Sequence, residues 1–259
     1  MKVVILAGGM GTRISEESAS KPKPMVEIGG MPVLWHIMKG YSSQGFNEFI
    51  ICAGYRQHMI KEWFSDYFLH TSDVTFDFTN GKQEMTVHRR QVEPWKVTVI
   101  DTGLYTETGG RIQRIREYTG GEPFMVTYGD GVGDIDINAV LEFHRKSGRK
   151  ATITTCVFGQ NKGVVELGED GRICELREKS ADDGKLINAG YMVFEQDALD
   201  GLLTDGTKLE DALSVLAERG ELSGYVHRGF WQCMDTLREK KLLEKLWKGG
   251  SPPWKTWKD

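Results

Sequence analysis

Residues 5–13 read Ile-Leu-Ala-Gly-Gly-Met-Gly-Thr-Arg, and the fold follows from this stretch. The apolar run Val3, Val4, Ile5 and Leu6 ends abruptly in Gly8, Gly9 and Gly11. A short, wholly apolar run suits a strand buried on both faces of a parallel sheet. Glycines at its end let backbone N–H groups approach a ligand closely. Arg13 and the basic knot Lys21-Pro22-Lys23-Pro24 then supply charge to an anion held there. That is the layout expected of a triphosphate-binding loop. Walker A does not fit, because no Lys follows these glycines at its spacing. The dinucleotide fingerprint fails too, since Gly9-Met10-Gly11 continues Thr12-Arg13-Ile14 without a third glycine.

Outward from this stretch, apolar runs at 2–7, 48–53, 97–101 and 123–127 have the character of buried parallel strands. Helical patterns lie between them. Pro32 opens one over 32–44, with Val33, Leu34, Ile37, Met38 and Tyr41 at helical spacing. Others run through Met59, Ile60, Trp63, Phe64 and Tyr67, and over 136–147. The alternation predicts an α/β, Rossmann-like doubly wound sheet, mixed but mostly parallel, with ligands beyond the strand C-termini. Gly8–Arg13 and Gly129–Asp130 both fall at such ends.

After about residue 150, strand-like pieces at 150–157, 163–167, 172–178 and 186–194 predominate. Helices return at 209–219 and 235–248. The reading is one domain over 1–259: a nucleotide-binding core, 1–149, extended by a β-rich sugar-binding part with C-terminal helices, 150–259. Segment 70–92 alternates around Asn80-Gly81 and predicts a β-hairpin, either a loop brace or a reach toward a partner subunit.

With 259 residues, 39% hydrophobic and 27% charged, the chain reads as globular. Its net charge of −4 argues against nucleic acid as a partner. Cys52, Cys156, Cys174 and Cys233 lie far apart, so neither structural zinc nor a disulfide framework is expected. No apolar run reaches membrane-spanning length, and the N-terminal one is too short for a signal peptide. A cytoplasmic protein with no membrane partner is expected. The aromatic tail, Trp247 to Trp257, is expected to pack within the chain first and against a subunit second.

Several side chains offer chemistry. Asp130 ends an apolar strand beside two glycines, and Asp235 precedes a helix start at Thr236. Each reads equally as a magnesium ligand or as a turn or cap acid. Glu178-Lys179 lies in the charged stretch Glu175–Lys179 and by itself reads as a solvated surface pair. Arg111, after Gly109-Gly110, is either a second phosphate grip or a helix N-terminal residue facing water.

Leu6-Ala7-Gly8-Gly9-Met10-Gly11-Thr12-Arg13, followed by Lys21-Pro22-Lys23-Pro24-Met25, resembles the signature of sugar-1-phosphate nucleotidylyltransferases. The resemblance continues through Tyr128-Gly129-Asp130-Gly131, Glu178-Lys179, Asn188-Ala189-Gly190 and Trp231–Thr236, so it spans nearly the whole chain. Val92–Trp95, Asp101-Thr102-Gly103, Thr108–Arg111 and Pro253–Trp257 look most like the glucose-1-phosphate cytidylyltransferase branch, which makes CDP-glucose for dideoxysugar and O-antigen synthesis. Many relatives have Leu-x-Pro after the Gly-Thr-Arg, where this chain has Ile14-Ser15-Glu16. Tyr105 stands where small polar residues are expected.

The resemblance implies attack by glucose 1-phosphate on the α-phosphorus of CTP, with Mg²⁺ as cofactor. A phosphate monoester has a second pKa of about 6, so the nucleophile needs no general base. The difficulty is bringing polyanions together, which requires cations. Asp130 and Asp235 are then the implied metal ligands, and Arg13, Lys23 and Asp130 the catalytic set. Arg13 and the loop from Leu6 to Thr12 would hold the β,γ-phosphates, and Lys23 the α-phosphate. Gly110, Arg111 and Gly129 join the nucleotide site. Lys179 would neutralise the sugar phosphate, Glu178 and Asn188 would accept sugar hydroxyls, and Gly190 would give the sugar room. A homo-oligomer with active sites near subunit interfaces is implied as well. The rival readings are a dTTP- or UTP-using relative and a non-catalytic nucleotide-sugar-binding regulatory subunit.

Overall fold

The first strand, β1 (Val3–Ala7), leads through a 3-10 turn at Thr12–Ile14, the one-turn α1 (Ser15–Ser18) and a second 3-10 turn at Lys23–Met25. A short hairpin of β2 (Glu27–Ile28) and β3 (Met31–Pro32) follows, then α2 (Val33–Ser42) and β4 (Glu48–Ala53). Next come α3 (Gln57–Ser65), α4 (Tyr67–Thr71), the hairpin strands β5 (Asp73–Asp77) and β6 (Glu84–Arg89), and β7 (Lys96–Asp101). Helices α5 (Thr108–Arg114) and α6 (Arg116–Thr119) precede β8 (Phe124–Tyr128), β9 (Gly131–Gly133) and α7 (Ile137–Ser147). The second half supplies β10 (Ala151–Cys156), β11 (Val164–Leu167), β12 (Ile173–Arg177) and β13 (Ile187–Phe194). It closes with α8 (Leu209–Glu218), β14 (Leu222–His227), β15 (Trp231–Cys233) and α9 (Leu237–Lys248). This computed structural model describes residues 1–81, 83–89, 92–157, 164–177 and 186–258.

The main sheet runs β12-β11-β13-β8-β1-β4-β7, with β10 pairing to β13 and β14 to β10. The run β8-β1-β4-β7, with β7 at the sheet edge, is parallel throughout. Strand β13 joins β8 antiparallel and makes the sheet mixed. Strands β1 and β4 are apolar on both faces because both are covered. On one side Val3, Ile5, Phe49 and Ile51 pack with Leu34 and Met38 of α2. On the other, Val4, Leu6, Ile50 and Cys52 pack with Ile112 of α5 and Leu213 of α8. The expected doubly wound core is therefore present, with the β-rich second half continuing the same sheet.

The differences from expectation are local. The pattern read as one helix through Tyr67 is two, α3 and α4, broken at Asp66. Strand β14, Leu-Ser-Gly-Tyr-Val-His, lacks the alternation that would announce it, yet it pairs parallel with β10 along its length. Segment 70–92 does contain a hairpin, β5-β6, which forms its own two-stranded sheet. The tail packs within the chain: Trp254 and Trp257 are buried, and the Trp247 and Trp254 rings gather around His36. Cys52, Cys156 and Cys233 are buried, Cys174 is exposed, and no disulfide joins any of the four. Burial pushes the Cys52 and Cys156 thiols up to about 12. Among the described residues, no helix is long and apolar enough to cross a membrane.

Candidate active site

The glycine loop leaves the C-terminal end of β1 and turns back under two constraints. Gly8 lies against the Arg111 guanidinium, where a Cβ would stand only 2.0 Å from Nη1. Gly11 adopts φ 64°, a region L-residues rarely enter. Its carbonyl accepts from Ile14 N at 3.0 Å and Ser18 Oγ at 2.7 Å, which closes the turn carrying Thr12 and Arg13. Strand β8 runs beside β1 with Tyr128 opposite Leu6, and Gly129 N donates to Leu6 O at 3.0 Å. Asp130 therefore emerges next to the loop.

Asp235 reaches the same place by a separate route. Strands β9 and β15 pair antiparallel with Gly131 opposite Cys233, and Met234 N donates to Asp130 O at 2.8 Å. Beyond this bridge Thr236 caps α9 in a capping box with Glu239. Glu239 Oε2 also accepts from Asp235 N at 2.7 Å and so fixes its backbone.

The charged groups converge tightly. Lys23 Nζ lies 2.5 Å from Asp130 Oδ2 and 2.5 Å from Asp235 Oδ1. Arg13 Nη1 lies 2.8 Å from Asp235 Oδ2. Burial acts to lower the Lys23 pKa, but the two carboxylates outweigh it and hold the amine above its ordinary value. A divalent cation suits this donor set: two hard carboxylates beside an open cleft, with remaining positions for phosphate oxygens and water. Among the described residues no group of three or more His, Cys, Asp or Glu side chains converges as a self-sufficient cage.

The cleft beyond this cluster has a volume of about 340 Å³. It is lined by Leu6, Ala7, Gly8, Gly9, Gly11, Thr12, Arg13, Lys23, Gly129 and Asp130, all singled out from the sequence. Met10 is not part of the lining and is 38% exposed. Tyr105, at 84% exposure, is likewise absent from the lining.

Arg111 lines the cleft, but the reading of a water-facing helix residue is corrected, since it is 4% exposed. Its guanidinium donates to Thr102 Oγ1 at 2.8 Å and to the carbonyls of Gly103 at 2.7 Å and Gly8 at 3.1 Å. Longer contacts reach Ala53 O and Leu104 O, both at 3.4 Å. These donors tie together the loops that follow β1, β4 and β7. Gly110 packs against the neighbouring turn, where a Cβ would lie 2.6 Å from Asp205 Cα.

Gly190 makes room for the Tyr128 ring, whose Cδ2 would lie 2.5 Å from a Cβ there. Asn188 Oδ1 accepts from Gly190 N at 2.8 Å and shapes that turn. Glu178 and Lys179 lie outside the described residues. Pro24 and Thr108, read only as parts of motifs, also line the cleft, as do Thr106, Glu107 and Glu210, to which sequence reasoning gave no role. Glu210 had no signal beyond an acidic first helical turn, a common stabilising feature.

Comparison with known proteins shows the family and the fold. A family profile described as "Nucleotidyl transferase" matches residues 2–259. The chain is 51% identical to a glucose-1-phosphate cytidylyltransferase of Salmonella typhi, over 99% of this chain and 100% of the relative. It is 40% identical to a probable glucose-1-phosphate cytidylyltransferase of Bacillus subtilis, with the same coverage. Among solved structures, HddC from Yersinia pseudotuberculosis superposes with a TM-score of 0.74 at 22% identity, over 95% of this chain and 99% of the other. A UDP-glucose pyrophosphorylase complexed with UDP-glucose superposes with a TM-score of 0.75 at 16% identity, over 96% and 98%. At those identities the structural likeness speaks to the fold.

Proposed function

The chain belongs to the nucleotidyl transferase family, in its glucose-1-phosphate cytidylyltransferase branch, and from that premise we propose that it transfers CMP from CTP to α-D-glucose 1-phosphate, giving CDP-glucose and pyrophosphate. Substrates of this family are a nucleoside triphosphate and a sugar phosphate, and its members generally use a divalent metal. The observation that carries the assignment of CTP and glucose 1-phosphate is the 51% identity along the full chain. The placement of Arg13 and Lys23 beside Asp130 and Asp235 supports the roles given to individual residues.

A phosphate oxygen of the sugar phosphate forms a new bond to the α-phosphorus while the bond to the β-phosphate oxygen breaks. No proton is transferred, since the nucleophile is already largely dianionic at pH 7. Arg13 and the loop amides after β1 hold the departing β,γ-phosphates. Lys23 meets the α-phosphate, where its charge stabilises the transition state. Proline on each side limits the backbone freedom Lys23 loses on engaging. Asp130 and Asp235 would hold Mg²⁺, which when bound neutralises phosphate charge and aligns the displacement. Glu178, Lys179 and Asn188 are proposed to serve the sugar phosphate.

The same reading includes a cytoplasmic homo-oligomer with active sites near subunit interfaces, feeding dideoxysugar and O-antigen synthesis. Exposed Phe76, Phe78 and Met85 on and beside the β5-β6 hairpin support a subunit contact there.

Pyrophosphate release tests the proposal, with glucose 1-phosphate and Mg²⁺ offered CTP, dTTP, UTP, ATP and GTP in parallel. Release with CTP well above the others is expected. Faster release with dTTP or UTP would move the protein to a sister branch. Silence with every nucleotide despite nucleotide binding would favour a regulatory subunit.

A further inference from the structure

Three turns leave the C-terminal ends of the parallel strands β1, β4 and β7, and each carries a glycine: Gly8, Gly54 and Gly103. A Cβ on Gly54 would stand 2.7 Å from Gly103 O and 2.8 Å from Gly8 O, so the three backbones touch. The same Cβ would lie 2.7 Å from Arg111 Nη1, and a Cβ on Gly8 only 2.0 Å from it. The turns therefore close around one guanidinium, delivered from α5. Any side chain at Gly8 or Gly54 would expel it.

The guanidinium spends its donors on backbone. Nη1 donates to Thr102 Oγ1 and Gly103 O, and Nη2 to Gly8 O, with Ala53 O and Leu104 O at longer range. Each of these acceptors is a neutral oxygen, and only the rigid fork of an arginine spans all three turns at once. Gly8 O is held from a second side as well, since Tyr55 N donates to it at 3.1 Å. That carbonyl is consequently fixed in direction. The peptide is trans and planar, so the N–H of Gly9 points opposite to the Gly8 carbonyl. Among the described residues no hydrogen bond uses that N–H, and Gly9 lines the cleft. With this peptide turned over, the loop would show phosphate a carbonyl oxygen in place of a donor and repel it.

We propose that Arg111 is the positioning residue of the triphosphate loop. It holds the Gly8–Gly9 peptide so that the loop after β1 turns N–H groups toward the β,γ-phosphates, and it acts through the backbone instead of gripping phosphate itself. The inference rests on the nucleotidyl-transfer reading of this cleft and names what shapes its phosphate-binding half. A glycine-rich loop is conformationally free by itself. Arg111 removes that freedom before the ligand arrives, so less entropy is lost on binding and the donors are already aimed.

The test is isothermal titration of pyrophosphate, with Mg²⁺ present, into wild type, Arg111→Lys, Gly8→Ala and the double variant, beside steady-state kinetics. Lysine keeps the charge but cannot span the three turns, so pyrophosphate affinity and kcat with CTP should each fall by about tenfold or more. KM for glucose 1-phosphate should not change. Gly8→Ala leaves every cation in the chain and displaces the guanidinium, so it should weaken pyrophosphate alike. The double variant should bind no more weakly than Arg111→Lys, because both changes break one contact; additive losses would refute the idea. Pyrophosphate affinity preserved in Arg111→Lys would overturn the proposal and make Arg111 a charge acting directly on phosphate. A lowered melting temperature with the constants of both substrates unaltered would overturn it too, leaving a purely structural brace. Should Arg111→Lys fail to fold, Thr102→Val removes one buried acceptor of the guanidinium. It should give the same selective loss in smaller measure, and unaltered pyrophosphate affinity would count against Arg111. A wild type inert with every nucleotide sinks the transferase reading itself. An active wild type whose variants hold pyrophosphate normally sinks this inference alone.

Discussion

Lys23 holds together two acids that lie far apart in the chain, and its neighbours define what each substitution should do. Asp130→Asn keeps the size of the side chain and removes the charge that a divalent cation needs. Turnover should vanish while the circular dichroism spectrum stays native, and near-normal turnover would take Asp130 out of the metal site. Lys23→Ala removes the charge assigned to the α-phosphate, and kcat should drop by about 10²- to 10³-fold. Measuring kcat and KM separately is decisive here. A raised KM for CTP with unchanged kcat would make Lys23 a uniform binding group. Arg111 is the residue whose behaviour the sequence described least well. The sequence left it either a second phosphate grip or a helix residue facing water, but the space it fills is made by Gly8 and Gly54 on other loops. No local pattern reports such long-range room.

Among the elements, α9 helps to position the site, and the tail behind it packs against α2. The cap at Thr236 was legible as a helix start, while its second task, anchoring Asp235 through Glu239, depends on a shared carboxylate oxygen. The tail packs its tryptophans around His36, which hydrogen-bonds to Ile28 O at 2.8 Å. Burial lowers the His36 pKa from 6.5 to about 4, so the folded protein holds this ring neutral. The unfolded chain binds a proton as pH falls through 6.5, and the folded chain does so only near 4. His36 therefore costs no stability above about pH 6.5, and stability declines between pH 6.5 and 4, by about 3 kcal/mol at most. Urea midpoints should drop from pH 7.5 to pH 5 more steeply in wild type than in His36→Gln. Parallel declines in both proteins would show that other groups set the acid sensitivity.

For the whole molecule, the open question is assembly. Phe76, Phe78 and Met85 are exposed on a hairpin that stands apart from the main sheet, where a monomer gains nothing from them. Light scattering should give a mass that is a multiple of the 29.2 kDa chain, and Phe76→Asp with Phe78→Asp should reduce it. An unchanged mass would make the hairpin an internal brace. The sequence by itself determined the doubly wound core, because strands buried on both faces must be continuously apolar and end in abrupt turns. Its runs at 48–53 and 123–127 match β4 and β8 almost residue for residue. It also singled out the glycine loop and Lys23, which line one cleft. Only the tertiary structure decided what meets what. Three-residue strands such as β9 and β15 are too short to show a period, yet their pairing brings Asp235 to Asp130. Glu210 enters the cleft because α8 packs against α5, a contact between surfaces far apart in the chain that no local pattern encodes.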